Sequence, residues 1–122
     1  MKKPLFKNGI CVITDYEGRE LGLLERTWSH IVRDRQRKYF YSQFNKIAQT
    51  LESPLRVFES QAEKNVVIYE RFFDDFYITN TVLGRTYVYV VVNWKTARIR
   101  SAYVNPRRRR QGKVIWETED SK

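Results

Sequence analysis

The chain has 122 residues, enough for one domain with a single hydrophobic core, and its 42% hydrophobic and 15% aromatic content excludes a disordered chain. Its 23 Lys and Arg residues outnumber 14 Asp and Glu residues, and the net charge of +9 favours a polyanionic partner: nucleic acid first, an anionic membrane surface second. One cysteine and one histidine exclude a disulfide framework and a structural zinc site.

We expect no targeting signal in the N-terminal sequence. Residues 1–8 are a basic arm without the apolar segment of a secretory leader, and no stretch reaches the roughly 18 apolar residues of a membrane-spanning helix. We therefore expect a cytoplasmic protein with no membrane partner, folded as one domain over residues 1–122. Its core spans about residues 10–117, and an acidic tail at 117–122 follows.

The first half of the chain changes from strand-like to helix-like periodicity. Residues 10–15 and 20–24 are separated by a turn and allow a short β-hairpin. From about residue 24 to 38, apolar side chains recur at helical spacing, and a second apolar stripe marks a helix at about 42–51. Pro54 ends this second helix, because the residue before a proline disfavours the helical region.

The second half alternates like strands at about residues 55–59, 66–73 and 97–104, with a central strand at 86–94. Val88, Val90 and Val92 share one apolar face of that strand, which we expect the helices to cover. The sequence therefore predicts an α+β fold, in which two N-terminal helices pack on one face of an antiparallel sheet of four or slightly more strands.

The opposite, open face of this sheet is predicted to carry polar and aromatic side chains. Its predicted members are Tyr69, Arg71, Tyr87, Tyr89, Ser101 and Tyr103. Such a surface suits RNA, because aromatic rings stack on unpaired bases at about 1–3 kcal/mol each and arginine binds phosphate. The alternative is a solvated sheet face on which cross-strand tyrosine pairs only stabilise the fold.

His30 lies among basic residues on the polar side of the first predicted helix, together with Arg33 and Arg37. Neighbouring positive charges disfavour protonation of an imidazole, so His30 is a candidate general base. The alternative is an incidental surface histidine. A helix that covers the apolar face directs its outer side chains away from the open face, so His30 meets Arg71 only if the helix lies at a sheet edge.

A run of arginines near the C-terminus is the clearest electrostatic signal. Its members are Arg107, Arg108, Arg109 and Arg110, with Lys113 close behind. Such a run binds phosphates through charge, without base specificity. The alternative is a solvated segment with no ligand.

Several short motifs occur in an order that resembles the barnase–EndoU–colicin–RelE-like small nuclease domains of phages and toxin systems. They are TWSHIVR at 27–33, TLESP at 50–54, YER at 69–71, VYVVV at 88–92, RSAY at 100–103 and GKVIW at 112–116. The resemblance implies a toxin-like, metal-independent RNA endonuclease that uses the RNA 2′-hydroxyl as nucleophile. It implies that His30, Arg71, Ser101 and Tyr103 are the catalytic residues.

Three functions follow from these observations. The first is the ribonuclease, without metal or other cofactor, with His30 as acid or base and Arg71 stabilising the charge on phosphorus. The second is a non-catalytic RNA-binding module that uses the tyrosine face and the arginine run. The third is an interaction protein whose basic surface binds an acidic antitoxin or immunity protein.

Overall fold

The computed structural model describes residues 3–34, 38–79 and 82–119 of a chain with α+β architecture. Its elements in chain order are β1 Ile10–Thr14, β2 Glu20–Leu24, α1 Glu25–Arg33, a 3₁₀ helix Lys38–Ser42, α2 Phe44–Glu52, β3 Arg56–Glu59, β4 Val66–Tyr77, β5 Leu83–Asn93, β6 Arg98–Asn105 and β7 Lys113–Glu117. The predicted basic arm and acidic tail lie partly outside the described residues.

All seven strands form one mixed sheet in the order β1-β2-β6-β5-β4-β3-β7. The prediction of an antiparallel sheet with four or slightly more strands is therefore wrong. The β1–β2 hairpin joins the meander through a parallel bridge between Gly22 and Arg98, and β7 pairs with β3 at the other end. A side chain at position 22 would place its Cβ 2.6 Å from Ile10 Cδ1, so glycine permits this close junction.

The two helices pack on one face of the sheet. Trp28 and Ile31 of α1 and Ile47 of α2 are buried in the main core, against the valine face of β5 that the sequence predicted. The first helix ends at Arg33, earlier than predicted, and the 3₁₀ helix buries Phe40 completely before α2 begins. Among the described residues, no helix has the length and apolarity needed to cross a membrane.

The predicted placement of Tyr69 and Arg71 on the open face is wrong. In the β4–β5 register, Tyr69 lies opposite Val90 and Arg71 opposite Val88, so both belong to the helix-covered face. Residues 66–70 of β4 are all buried, and apolar side chains occupy both faces of this strand. Alternation in the sequence therefore could not distinguish the two faces of β4.

Asp15, at the end of β1, connects the hairpin to the centre of the sheet. Its buried carboxylate accepts hydrogen bonds from the Tyr69 hydroxyl at 2.6 Å and from Arg19 Nη1 at 3.0 Å. The Trp94 Nε1–H in turn donates to the Tyr69 hydroxyl at 2.9 Å. Burial raises the pKa of Asp15, but the bonds from Tyr69 and from the backbone N–H groups of Arg19 and Glu17 outweigh it and hold the pKa below its usual value.

We expect Asp15→Asn to lower the free energy of unfolding by about 1.5–3 kcal/mol at neutral pH, because it weakens charge-assisted hydrogen bonds. The folded-state pKa is depressed, so this stabilisation is present above pH of about 4 and is lost as the pH falls through the folded-state pKa. Denaturant unfolding of both proteins between pH 7 and pH 3 measures the difference. A difference that does not shrink toward pH 3 would contradict the assignment. Asp74→Asn, an exposed acid on β4, is the control and should change stability by less than about 0.5 kcal/mol.

Candidate functional site

A row of four polar side chains crosses the sheet on the face opposite the helices. Arg56 of β3 lies opposite Glu70 of β4, Glu70 opposite Tyr89 of β5, and Tyr89 opposite Tyr103 of β6. Side chains directly opposite each other on neighbouring strands are in contact distance. We call these four residues the polar row.

Glu70 is the centre of the polar row and its side chain is completely buried. Arg56 binds it through two bonds, Nε to Oε1 at 2.8 Å and Nη2 to Oε2 at 2.9 Å. Arg108 Nε donates to Oε1 at 3.2 Å, and the Tyr89 hydroxyl lies 2.9 Å from Oε2. The hydrogen bond with Glu70 raises the pKa of Arg56. One carboxylate thus lies between two guanidinium groups and one phenol, an arrangement with an excess of positive charge.

Residues 106–112, here called the arginine loop, lie over the polar row. The Arg109 N–H donates to the Tyr89 hydroxyl at 2.8 Å, and the Tyr103 hydroxyl donates to Gln111 Oε1 at 2.6 Å. Gly112 closes the loop: a Cβ at this position would lie 2.2 Å from the Glu59 carbonyl oxygen. The loop is therefore an integral part of this face of the structure.

The arginine loop changes the predicted tyrosine surface. Tyr89 is fully buried and its ring stacks on that of the half-buried Tyr103, with ring centroids 5.3 Å apart, so Tyr89 is not open to a nucleobase in this arrangement. Burial raises the pKa of Tyr89, so its hydroxyl keeps its proton at neutral pH and can donate a hydrogen bond. Of the three tyrosines predicted to bind nucleic acid, Tyr69 and Tyr89 are buried and Tyr87 is half-buried.

The predicted basic residues separate into two groups. Arg107, Arg108, Arg109, Arg110 and Lys113 are all exposed beside the polar row, and Arg108 also forms an ion pair with Glu70. Arg33 is exposed on α1, on the helix-covered side of the sheet. Arg37 lies outside the described residues.

The four predicted catalytic residues are not brought together. Ser101 and Tyr103 lie on the open face, opposite Val91 and Tyr89. Arg71 lies on the other face, where its guanidinium donates to the Ser53 carbonyl at the end of α2. His30 is exposed on α1, which packs on that same face. The sheet separates His30 and Arg71 from the two hydroxyl groups.

Sequence reasoning missed Glu70 and Arg56. A signal was present, because Glu70 directly follows the apolar and aromatic run 66–69, and a charge in a buried strand requires a partner. The identity of that partner was not visible, since Arg56 and Arg108 are 14 and 38 residues away.

Two further findings concern cofactors and relatives. Among the described residues, no group of three or more His, Cys, Asp and Glu side chains is placed to hold a metal ion. No protein-family model, no curated protein and no solved structure matches this chain. The resemblance to the nuclease domains therefore stays a prediction, and the function is argued from the polar row itself.

We expect Glu70→Ala to lower the free energy of unfolding by about 3–5 kcal/mol, because it leaves the charge of the largely buried Arg56 without its partner. Chemical denaturation measures this loss. The single variants Arg56→Met and Glu70→Met are compared with the double variant that carries both substitutions. The stability lost in the double variant should be smaller than the sum of the losses in the two single variants. Additive losses would contradict the coupling. Glu59→Ala, an exposed acid on the same strand as Arg56, is the control.

Proposed function

We propose that this chain is a metal-independent ribonuclease that cleaves single-stranded RNA through attack of the 2′-hydroxyl, with the polar row supplying the reacting groups. The observation that carries the proposal is the position of Glu70, held between Arg56 and Arg108 in a row that continues to two tyrosine hydroxyls. Carboxylate, guanidinium and phenol are the groups required to move a proton and stabilise charge at a phosphodiester.

Each group has a separate role in the proposed reaction. Glu70 accepts the proton of the 2′-hydroxyl as the bond from O2′ to phosphorus forms. Arg56 and Arg108 stabilise the additional negative charge on the phosphoryl oxygens. Tyr103 donates its proton to O5′ as the bond from phosphorus to O5′ breaks. The products are a 2′,3′-cyclic phosphate and a free 5′-hydroxyl. Glu70 then releases its proton to solvent water and Tyr103 takes one up from it, which restores the site.

The arginine loop must move for RNA to reach the polar row. Three contacts hold it in the closed position: Arg108 with Glu70, Arg109 with Tyr89, and Gln111 with Tyr103. A phosphate group satisfies Arg108 as well as a carboxylate does, because both present paired oxygens to the guanidinium fork. RNA therefore competes with Glu70 for Arg108, and the exposed arginines of the loop attract the RNA to this side of the sheet.

We expect Glu70→Gln to slow RNA cleavage by about 10²- to 10⁴-fold, the contribution of a general base. The measurement is release of cyclic-phosphate product from single-stranded RNA with EDTA present, with folding checked by circular dichroism. Tyr103→Phe keeps the ring stack and removes only the hydroxyl, and should slow cleavage by about 10²-fold or more. It tests the same site if Glu70→Gln does not fold.

His30→Ala is the matched control for this experiment. We expect it to leave the cleavage rate near the wild-type value, because His30 lies across the sheet from the polar row. A rate that collapses in His30→Ala and is unchanged in Tyr103→Phe would overturn this assignment and restore the residues implied by the family resemblance.

One observation favours a second candidate function, a non-catalytic RNA-binding module. The carboxylate of Glu70 is completely enclosed and engaged by three partners, as expected of a structural ion cluster. Wild-type protein that binds RNA and never cleaves it would establish this function.

Both candidates predict that RNA binds beside the arginine loop. We expect the combined variant Arg107→Gln, Arg109→Gln, Arg110→Gln to weaken RNA binding and to reduce the slope of log K against log salt concentration by about 2, since each phosphate contact on a single strand contributes about 0.7. Fluorescence anisotropy with a labelled oligonucleotide between 50 and 300 mM salt measures the slope.

A second variant with the same loss of charge locates the interface. Arg26, Arg33 and Lys38 are exposed on the helix-covered side, and their combined replacement by Gln removes three charges far from the arginine loop. This variant should keep a slope close to wild type. Equal reductions in both variants would show that net charge, and not the arginine loop, governs binding.

A further inference from the structure

Phe72 and Tyr87 form an aromatic pair on the open face, next to the polar row along the same two strands. They lie directly opposite each other in β4 and β5, with ring centroids 5.0 Å apart and ring planes inclined by 57°. Both residues are half-buried, whereas Tyr89 is fully buried. Each is two residues from a member of the polar row, Phe72 from Glu70 and Tyr87 from Tyr89, a distance of about 7 Å along the strands.

One guanidinium group lies against this aromatic pair, and the backbone of a second arginine lies beside it. The Arg85 guanidinium lies 5.3 Å from the Phe72 ring centroid. On the other side, Asn105 lies opposite Tyr87, and Asn105 Oδ1 accepts a hydrogen bond from the Arg107 N–H at 3.0 Å. Both arginine side chains are exposed, and within the described part of the chain neither forms an ion pair with an acid.

The other half-buried aromatic cluster near a guanidinium is already engaged. Arg19 lies over the Trp94 ring at 3.9 Å and is bound to Asp15. Tyr16 packs on Trp116 at 4.5 Å between ring centroids. Phe72 and Tyr87, in contrast, are partly exposed residues beside the exposed Arg85, and the exposed Arg107 follows Asn105 on the neighbouring strand. Aromatic residues next to exposed arginines are the combination that binds single-stranded nucleic acid.

We propose that Phe72 and Tyr87 form a stacking site for one unpaired nucleobase of single-stranded RNA, and that Arg85 and Arg107 bind the adjoining phosphates. This inference rests on the proposed function in one respect: the phosphate next to the stacked base is expected to reach the polar row. One nucleotide of an extended strand covers the distance between the two sites. The inference selects single-stranded over duplex RNA, because a paired base has no free face to offer.

The test compares two labelled 2′-O-methyl oligonucleotides, which cannot be cleaved through the 2′-oxygen, one with bases and one with abasic residues at its centre. We expect wild-type protein to bind the first about 5- to 150-fold more tightly, the value of stacking one base. Tyr87→Val and Phe72→Val, which keep strand-forming side chains, should each reduce this ratio toward one while preserving the affinity for the abasic strand.

Tyr77→Val is the matched control, because Tyr77 is an exposed aromatic residue at the far end of the same strand as Phe72. It should keep the wild-type ratio. The proposal is overturned if wild-type protein binds the two oligonucleotides equally, or if both Tyr87→Val and Phe72→Val keep the wild-type ratio.

The two proposals fail separately in this design. A ratio that depends on Tyr87 in a protein that does not cleave ordinary RNA supports the stacking site and contradicts the nuclease. Cleavage by wild-type protein with a ratio that is independent of Phe72 and Tyr87 supports the nuclease and contradicts the stacking site.

Discussion

A single buried carboxylate organises the open face of this protein. Glu70 lies in the middle of β4, and a charge removed from water at this position costs several kcal/mol unless it is paired. Arg56 pairs with it from β3, and Arg108 pairs with it from the loop between β6 and β7. The position of one neighbouring strand and of an entire loop is therefore tied to one charge, and the loop in turn covers Tyr89 and Tyr103.

The helix-covered face depends on a second buried carboxylate in the same way. Asp15 binds Tyr69 and Arg19 and so connects the N-terminal hairpin to β4. The hydrogen bonds of Tyr69 and Tyr89 run through opposite faces of the sheet, and burial raises the pKa of both hydroxyls, which stay protonated as donors. The sheet is held at its edge and at its centre by polar contacts that its apolar core by itself would not specify.

The enclosure of Glu70 has two consequences for function. Withdrawal from water strengthens every electrostatic interaction in the polar row. In the proposed reaction, this favours stabilisation of the charge on a phosphodiester by the guanidinium groups. The same enclosure means that RNA, in the proposed complex, must displace the arginine loop. RNA can displace the loop only to the extent that it binds the protein with the loop displaced more tightly than the protein with the loop in place. Arg108 links the enclosure of Glu70 to the proposed displacement of the loop, because its guanidinium can bind either Glu70 or a phosphate.

The sequence by itself determined the approximate positions of both α-helices and of the main strands, and which side chains of β5 face the helices, because helical and strand periods are local properties of the chain. It also identified the arginine run, and it placed Ser101 and Tyr103 on one face of their strand. Only the tertiary structure decided that the sheet has seven strands, that Tyr69 and Arg71 lie with the helices, and that Glu70, Arg56 and Arg108 meet. These features depend on the register between strands that are distant in the chain. In the first five residues of β4, where both faces are buried, no alternation records that register.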